Sequence, residues 1–157
     1  MSMNAAFIEI NETRWLGSLG IKFLADGEIG LVEHRLAPRA LGAPLHRHGR
    51  EDEYSYVVRG RLGAKLGDRI VHAGPGEVLV KPRDQWHTFW NAGDEEASWV
   101  EVLAPGTFAG YFRELLALSD GGRPRPEQVA PIAARYGLEV DPTSIPALCA
   151  EFGLRFG

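Results

Sequence analysis

Cysteine is nearly absent: Cys149 is alone among 157 residues. A single thiol excludes an internal disulfide and any thiolate-rich zinc cluster, and it fits a reducing compartment. Long apolar runs are missing too. No stretch approaches the ~20 residues that a membrane-spanning helix needs, and the first residues lack the basic-then-apolar order of a secretory leader. Positive charge is not in excess either. Lys+Arg 17 against Asp+Glu 21 gives a net charge of −4, which argues against nucleic acid as the main partner. The expectation is a cytoplasmic protein with no nucleic-acid and no membrane partner. What the chain does have is turn formers, Gly 19 and Pro 10, so many short segments are expected. Its length suits one domain with one core.

Short runs of alternating apolar residues fill the first two thirds, and Gly, Pro, Asp or Asn punctuate them. The runs are Phe7–Ile10, Leu19–Leu24, Gly30–Leu36, Tyr54–Arg59, Leu62–Leu66, Arg69–His72, Glu77–Lys81, His87–Asn91 and Ser98–Leu103. Hairpin-type connections such as Leu66-Gly67-Asp68 and Asn91-Ala92-Gly93-Asp94 point to an antiparallel sandwich or barrel. The pattern changes at Pro105-Gly106. Phe108, Tyr111, Phe112, Leu115 and Leu116 keep helical spacing. A second helix is expected over Pro126–Tyr136 and a third over Ser144–Phe152, with Ser144 as N-cap. Both end in a glycine followed by leucine, Gly137-Leu138 and Gly153-Leu154, the pattern of a left-handed helix stop. Residues 1–104 are read as a barrel and 105–157 as a helical extension packed on it within the same domain.

Among the five histidines, His46 and His48 flank Arg47. At positions i and i+2 they share a face only in extended chain, and Pro44 just upstream favours that state. Two such imidazoles, about 7 Å apart at the backbone, can converge on one ion. Taken alone, the pair fits a solvated charged loop as well as a metal site.

The wider pattern resembles the cupin superfamily. Its first motif runs glycine, five residues, His-x-His, three or four residues, Glu, six residues, glycine. His46, His48, Glu53 and Gly60 fit it, with Ala40 at the leading glycine. Its second motif runs glycine, five residues, Pro, one residue, Gly, two residues, His, three residues, Asn. Gly76, Pro82, His87 and Asn91 fit, with Asp84 at the middle glycine. Both departures fall on turns, where Asp is tolerated and where Gly42 can take over from Ala40. The chain is similar to small single-domain bacterial cupins of the quercetin dioxygenase-like kind.

The resemblance implies an all-β jelly-roll barrel (a double-stranded β-helix) with short C-terminal helices. It implies that His46, His48, Glu53 and His87 hold a divalent transition metal on the inner wall. Such a ligand set suits Fe, Mn, Ni, Co or Zn without choosing among them, and it leaves open positions for chemistry. Glu53 is the catalytic candidate, able to loosen from the metal and take a proton.

Strand alternation then puts Ser55 and Val57 on the inward face with Glu53, and Phe89 with His87, as pocket-lining residues. Tyr54, Tyr56, Val58, Trp86, Thr88 and Trp90 face outward and need cover, from the helices or from a second subunit in a homodimer. Arg59, Arg61 and Lys65 fall off the inner face, which disfavours a sugar-phosphate site. His34 and His72 are read as surface or packing residues. Glu101 is open between a base behind the ligands and a solvated outer position. The function expected is a metal-dependent, dioxygenase-like enzyme acting on a small enolised or aromatic compound. A non-redox isomerase or decarboxylase, or a non-catalytic small-molecule binder, are the alternatives.

Overall fold

A computed structural model describes residues 12–157; the expected strand Phe7–Ile10 lies outside them. Eleven strands are described: β1 Arg14–Leu16, β2 Leu19–Ala25, β3 Gly30–Leu36, β4 Leu45–His48, β5 Asp52–Arg59, β6 Leu62–Leu66, β7 Arg69–Ala73, β8 Val78–Lys81, β9 His87–Asn91, β10 Ala97–Ala104 and β11 Leu138–Asp141. They form a six-stranded sheet in the order β1-β2-β3-β10-β5-β8 and a five-stranded sheet in the order β11-β4-β9-β6-β7. All named pairings are antiparallel. Two antiparallel sheets closing on a shared interior is the jelly-roll arrangement.

Period-two patterning decides which side chains the interior receives. Along β5, Glu53, Ser55 and Val57 are buried while Tyr54, Tyr56 and Val58 are exposed. Along β10, Ala97, Trp99, Glu101 and Leu103 are buried in alternation. Register places Glu53 opposite Lys81, Ser55 opposite Glu101, and His46 opposite His87. Strand β9 departs from simple alternation, since all five of its residues are buried. Its outward side is covered from two directions. Trp90 stacks on Phe152 at 4.2 Å between centroids and packs with Leu148 and Leu154. The Thr88 hydroxyl donates to the Ala43 carbonyl at 2.6 Å. The C-terminal segment therefore supplies cover for Trp90.

The C-terminal segment holds three helices, α1 Ala109–Leu118, α2 Pro126–Arg135 and α3 Ile145–Phe152. It is not helical throughout. Gly137 takes φ +66° and stops α2 as expected, but the chain beyond it extends as β11 and pairs with the His46–His48 strand. The edge of β4 offers this pairing, and the apolar–polar alternation of Leu138–Asp141 is too short to announce it alone. Ser144 does not cap α3. Its hydroxyl donates to the Asp141 carbonyl and accepts from Leu45 N–H. The Asp141 side chain accepts from Thr143 N–H at the head of the preceding 3-10 turn.

Two motif positions show their physical reason. Asp84 stands where the motif has glycine and takes φ +64°, a region that Asp enters more readily than most residues. Gly42 lies so close to the Phe89 ring that a Cβ there would sit 2.0 Å from it.

Candidate metal centre and its cavity

The four motif side chains meet across the two sheets. His46 and His48 come from β4, His87 from the start of β9, and Glu53 from β5 of the opposite sheet. One ligating atom from each lies within 4.8 Å of all the others. That is near the span of ligands around one ion with bonds of about 2.0–2.2 Å. All four residues are buried. His48 Nε2, His87 Nε2 and Glu53 Oε1 are shut off from solvent and make no hydrogen bond, although His48 Nε2 comes within 2.9 Å of Glu53 Oε1. Buried polar atoms left without partners are uncommon, and here they face one point. The donor set fits a divalent transition metal.

Each imidazole is held from behind. His46 Nδ1 lies 2.8 Å from the Pro44 carbonyl and His87 Nδ1 3.0 Å from the Gln85 carbonyl. His48 Nδ1 lies 3.4 Å from the buried carboxylate of Glu51. A proton on Nδ1 directed to these acceptors leaves Nε2 free to coordinate. Glu51→Gln weakens this hold on His48. It is expected to lower metal affinity by about 10–100-fold with little change in fold, as read by competition against a chelating dye.

Electrostatics set the metal-free state. Burial, then His87 and His48, hold the His46 pKa well below the ordinary imidazole value. For His48, burial alone would lower the pKa, but Glu53 and Glu51 outweigh it and lift it to about 9. Glu53 would be raised by its burial, but His48 and Lys81 hold it well below the carboxylate range. His48 therefore stabilises the metal-free fold fully below its unfolded value near 6.5, and that contribution fades as pH rises through about 9. Metal-free protein should lose melting temperature between those limits. Metal-loaded protein should not, because an ion replaces the proton. Melting curves with and without chelator across pH 6–10 check this.

Beside the cluster lies a second polar group. Lys81 Nζ is 2.7 Å from Glu101 Oε1 and 3.9 Å from Glu53 Oε1. Glu101 Oε2 accepts from the Ser55 hydroxyl and from Trp99 Nε1, each at 2.7 Å. Burial opposes the Lys81 charge, but Glu101 and Glu53 outweigh it and raise the pKa, so the ammonium persists at neutral pH. Glu101 is thus an interior residue. Of the cations weighed from sequence, Arg59 and Arg61 are exposed and Lys65 is half-buried; Lys81, not among them, points into the barrel. Its signal was the shared parity with buried Leu79 on β8. Val78, Leu79 and Val80 are all apolar, so the inward face could not be told from hydropathy.

These groups open onto a cavity of about 300 Å³ between the barrel and the C-terminal helices. His46, His48, Glu53, Lys81 and Glu101 stand on its wall, joined by Phe89, His34, Leu16, Leu19, Phe108, Tyr111 and Phe112. Phe89 lines it. Ser55 and Val57 do not: both point inward, but they lie in the packed layer beneath, where Ser55 is bonded to Glu101. His87 is fully buried behind the wall. His34 packs between Trp99 and Phe112 with Nδ1 3.2 Å from the Gly20 carbonyl, and His72 is exposed. Phe108 reaches His48, 4.5 Å between ring centroids, so the helical segment closes the top of the histidine–glutamate cluster. Alternation along strands could not find this helical wall.

The profile of the family described as Cupin domain matches residues 32–103, a segment that contains all four clustered residues. That segment is a cupin domain. Solved structures agree in fold. An RmlC-like cupin from Shewanella frigidimarina superposes with TM-score 0.59 at 22% identity, covering 69% of this chain and 96% of that one. KdgF from a Halomonas species superposes with TM-score 0.56 at 19% identity, covering 66% and 90%. A curated relative, polyketide synthase CurC of Streptomyces cyaneus, is 40% identical over 60 residues. That alignment covers 38% of this chain and spans 39% of the relative's length. Among the described residues no helix is long and apolar enough to cross a membrane.

Proposed function

We propose that this cupin is a metal-dependent enzyme that forms and holds the anion of a small enolisable or aromatic compound. The observation that carries the reading is the Lys81 ammonium fixed beside the His46, His48, Glu53 and His87 cluster on one cavity wall. A divalent ion held by those four residues would supply Lewis acidity to a substrate oxygen. Lys81 adds a second, permanent positive charge where an enolate or phenolate oxygen would develop, in a site largely closed to water. Glu101 is a positioning residue, keeping Lys81 charged and directed. In this reading Glu53 accepts the proton. The match to a protein named as a polyketide synthase supports a polycarbonyl or phenolic substrate.

The interior cation favours the non-redox reaction, an isomerisation, decarboxylation or ring closure through the enolate. The dioxygenase-like reaction is the second reading. It is supported by the aromatic wall of Phe89, Phe108 and Phe112, which would shield an electron-rich anion while dioxygen adds. The test incubates Fe-, Mn-, Ni-, Co- and Zn-loaded protein with β-diketones, flavonols and catechols in D2O, following deuterium uptake and oxygen consumption. Metal-dependent exchange without oxygen consumption is the expected result. Oxygen consumption selects the second reading. Tight ligand retention with neither would leave a binding module and retire the enzyme.

A homodimer in the cytoplasm completes the proposal. Exposed Tyr54, Tyr56 and Val58 on β5 lie beside exposed Val78 and Val80 on β8, with Tyr54 opposite Val80 and Tyr56 opposite Val78. Such a contiguous apolar sheet face favours a second copy as its cover. Light scattering should give twice the chain mass for the native protein and the single mass for Tyr56→Glu. The lone free cysteine supports the location.

A further inference from the structure

The cavity has a second charged wall, away from the metal cluster. Arg123, in the segment between α1 and α2, lines it with Tyr111 and Phe156. A guanidinium carries five N–H donors, yet Arg123 uses one, in a long 3.4 Å hydrogen bond from Nη2 to the Leu41 carbonyl. Its Nε is sealed from solvent with no hydrogen-bond partner. Arg39, Arg47, Arg83 and Arg113 each pair with a carboxylate, whereas no carboxylate pairs with Arg123 among the described residues. The guanidinium lies over the Phe156 ring, 4.5 Å from its centroid. Burial pushes its pKa down to about 10, still well above neutrality, so the charge stays.

A cation held part-desolvated without a counter-charge costs stability. Arg123 bears that cost on the wall of a cavity whose remaining lining is mostly aliphatic and aromatic. It meets Leu41, Phe156 and neighbouring Tyr111, and its Cγ lies beside Gly17. Lys81 sits instead among Glu53, Glu101 and Phe89, so the two cations stand on different walls.

We propose that Arg123 is the specificity-determining residue for a carboxylate on the substrate, carried by an apolar body that fills the space between Arg123 and the metal cluster. This rests on the cavity being the substrate site, and it narrows the substrate class to an aromatic or polycarbonyl acid. The planar fork suits a carboxylate better than a point charge would. A neutral amide of the same shape offers one uncharged acceptor, so it loses the charge-assisted, bidentate part of that contribution.

The test uses 2-naphthoate and its uncharged analogue 2-naphthamide, titrated calorimetrically into metal-free protein so that the carboxylate cannot go to a metal. Native protein should bind the acid at least about 10-fold more tightly than the amide, the scale of one charge-assisted bidentate contact. Arg123→Met should bring the two within about 2-fold, and Arg123→Lys should fall between, because it keeps the charge and loses the fork. Without ligand, Arg123→Met should melt at or above the native temperature, since an uncompensated charge has been removed. Equal or undetectable affinities in the native protein, or a preference that survives Arg123→Met, would overturn the proposal. A clear drop in ligand-free melting temperature would make Arg123 structural and overturn it too. A cupin that never turned over an enolisable compound would still show this preference, so the two readings fail separately.

Discussion

Lys81→Met is expected to cost about 3–5 kcal/mol of folding stability, the usual loss when one partner of a buried ion pair is removed. For a chain of this length the melting temperature should fall on the order of 10 °C. Two buried carboxylates lose their common cation at once: Glu101 at 2.7 Å and Glu53 at 3.9 Å. Glu101 keeps its bonds from Ser55 and Trp99, but both are neutral donors and do not cancel its charge. The loss should be larger in metal-free than in metal-loaded protein, because a bound ion takes over the neutralisation of Glu53. Paired thermal melts with and without metal read both effects. Turnover should be lost even in metal-loaded Lys81→Met held well below its melting point, since the charge facing the developing anion is gone. A mutant that melts like the native protein and keeps turnover would remove Lys81 from the account.

His87→Ala should abolish stable metal binding. Its ring is fully buried, its Nδ1 faces the Gln85 carbonyl and its Nε2 faces Glu53 at 3.5 Å with no hydrogen bond. Removing a partner behind a ligand costs about 10–100-fold in affinity, and removing the ligand itself should cost more. Equilibrium dialysis should find about one ion per native chain and a small fraction of that in the mutant at micromolar metal, consistent with a one-ion site of this donor set. The melting gain that metal confers on the native protein should vanish with it. Retention of a full equivalent would mean that the ion sits elsewhere.

The legibility of this protein in its sequence follows the range of the forces involved. Barrel strands such as Gly30–Leu36 and Leu62–Leu66 agree with the runs read from alternation, because each carries its own buried face. The cluster of His46, His48, Glu53 and His87 was legible from motif spacing, and the structure gathers the four residues. Three features were not legible, and each depends on a distant partner. Strand β11 exists because β4 offers an edge. Lys81 faces inward because β8 registers with Glu53 across an apolar run that hides its parity. The cavity wall is built by α1 and α2 as much as by strands, so barrel alternation alone put Ser55 and Val57 on it when they lie beneath. Trp90 is the intermediate case: its outward direction was legible, but the identity of its cover in Phe152 was not.

The most direct measurement is X-ray absorption fine structure on native protein loaded with one equivalent of cobalt or zinc. Three imidazole nitrogens and carboxylate oxygen around the ion, at about 2.0–2.2 Å, is the result this structure predicts. An ion without imidazole ligands, or protein that returns from dialysis empty, would contradict it.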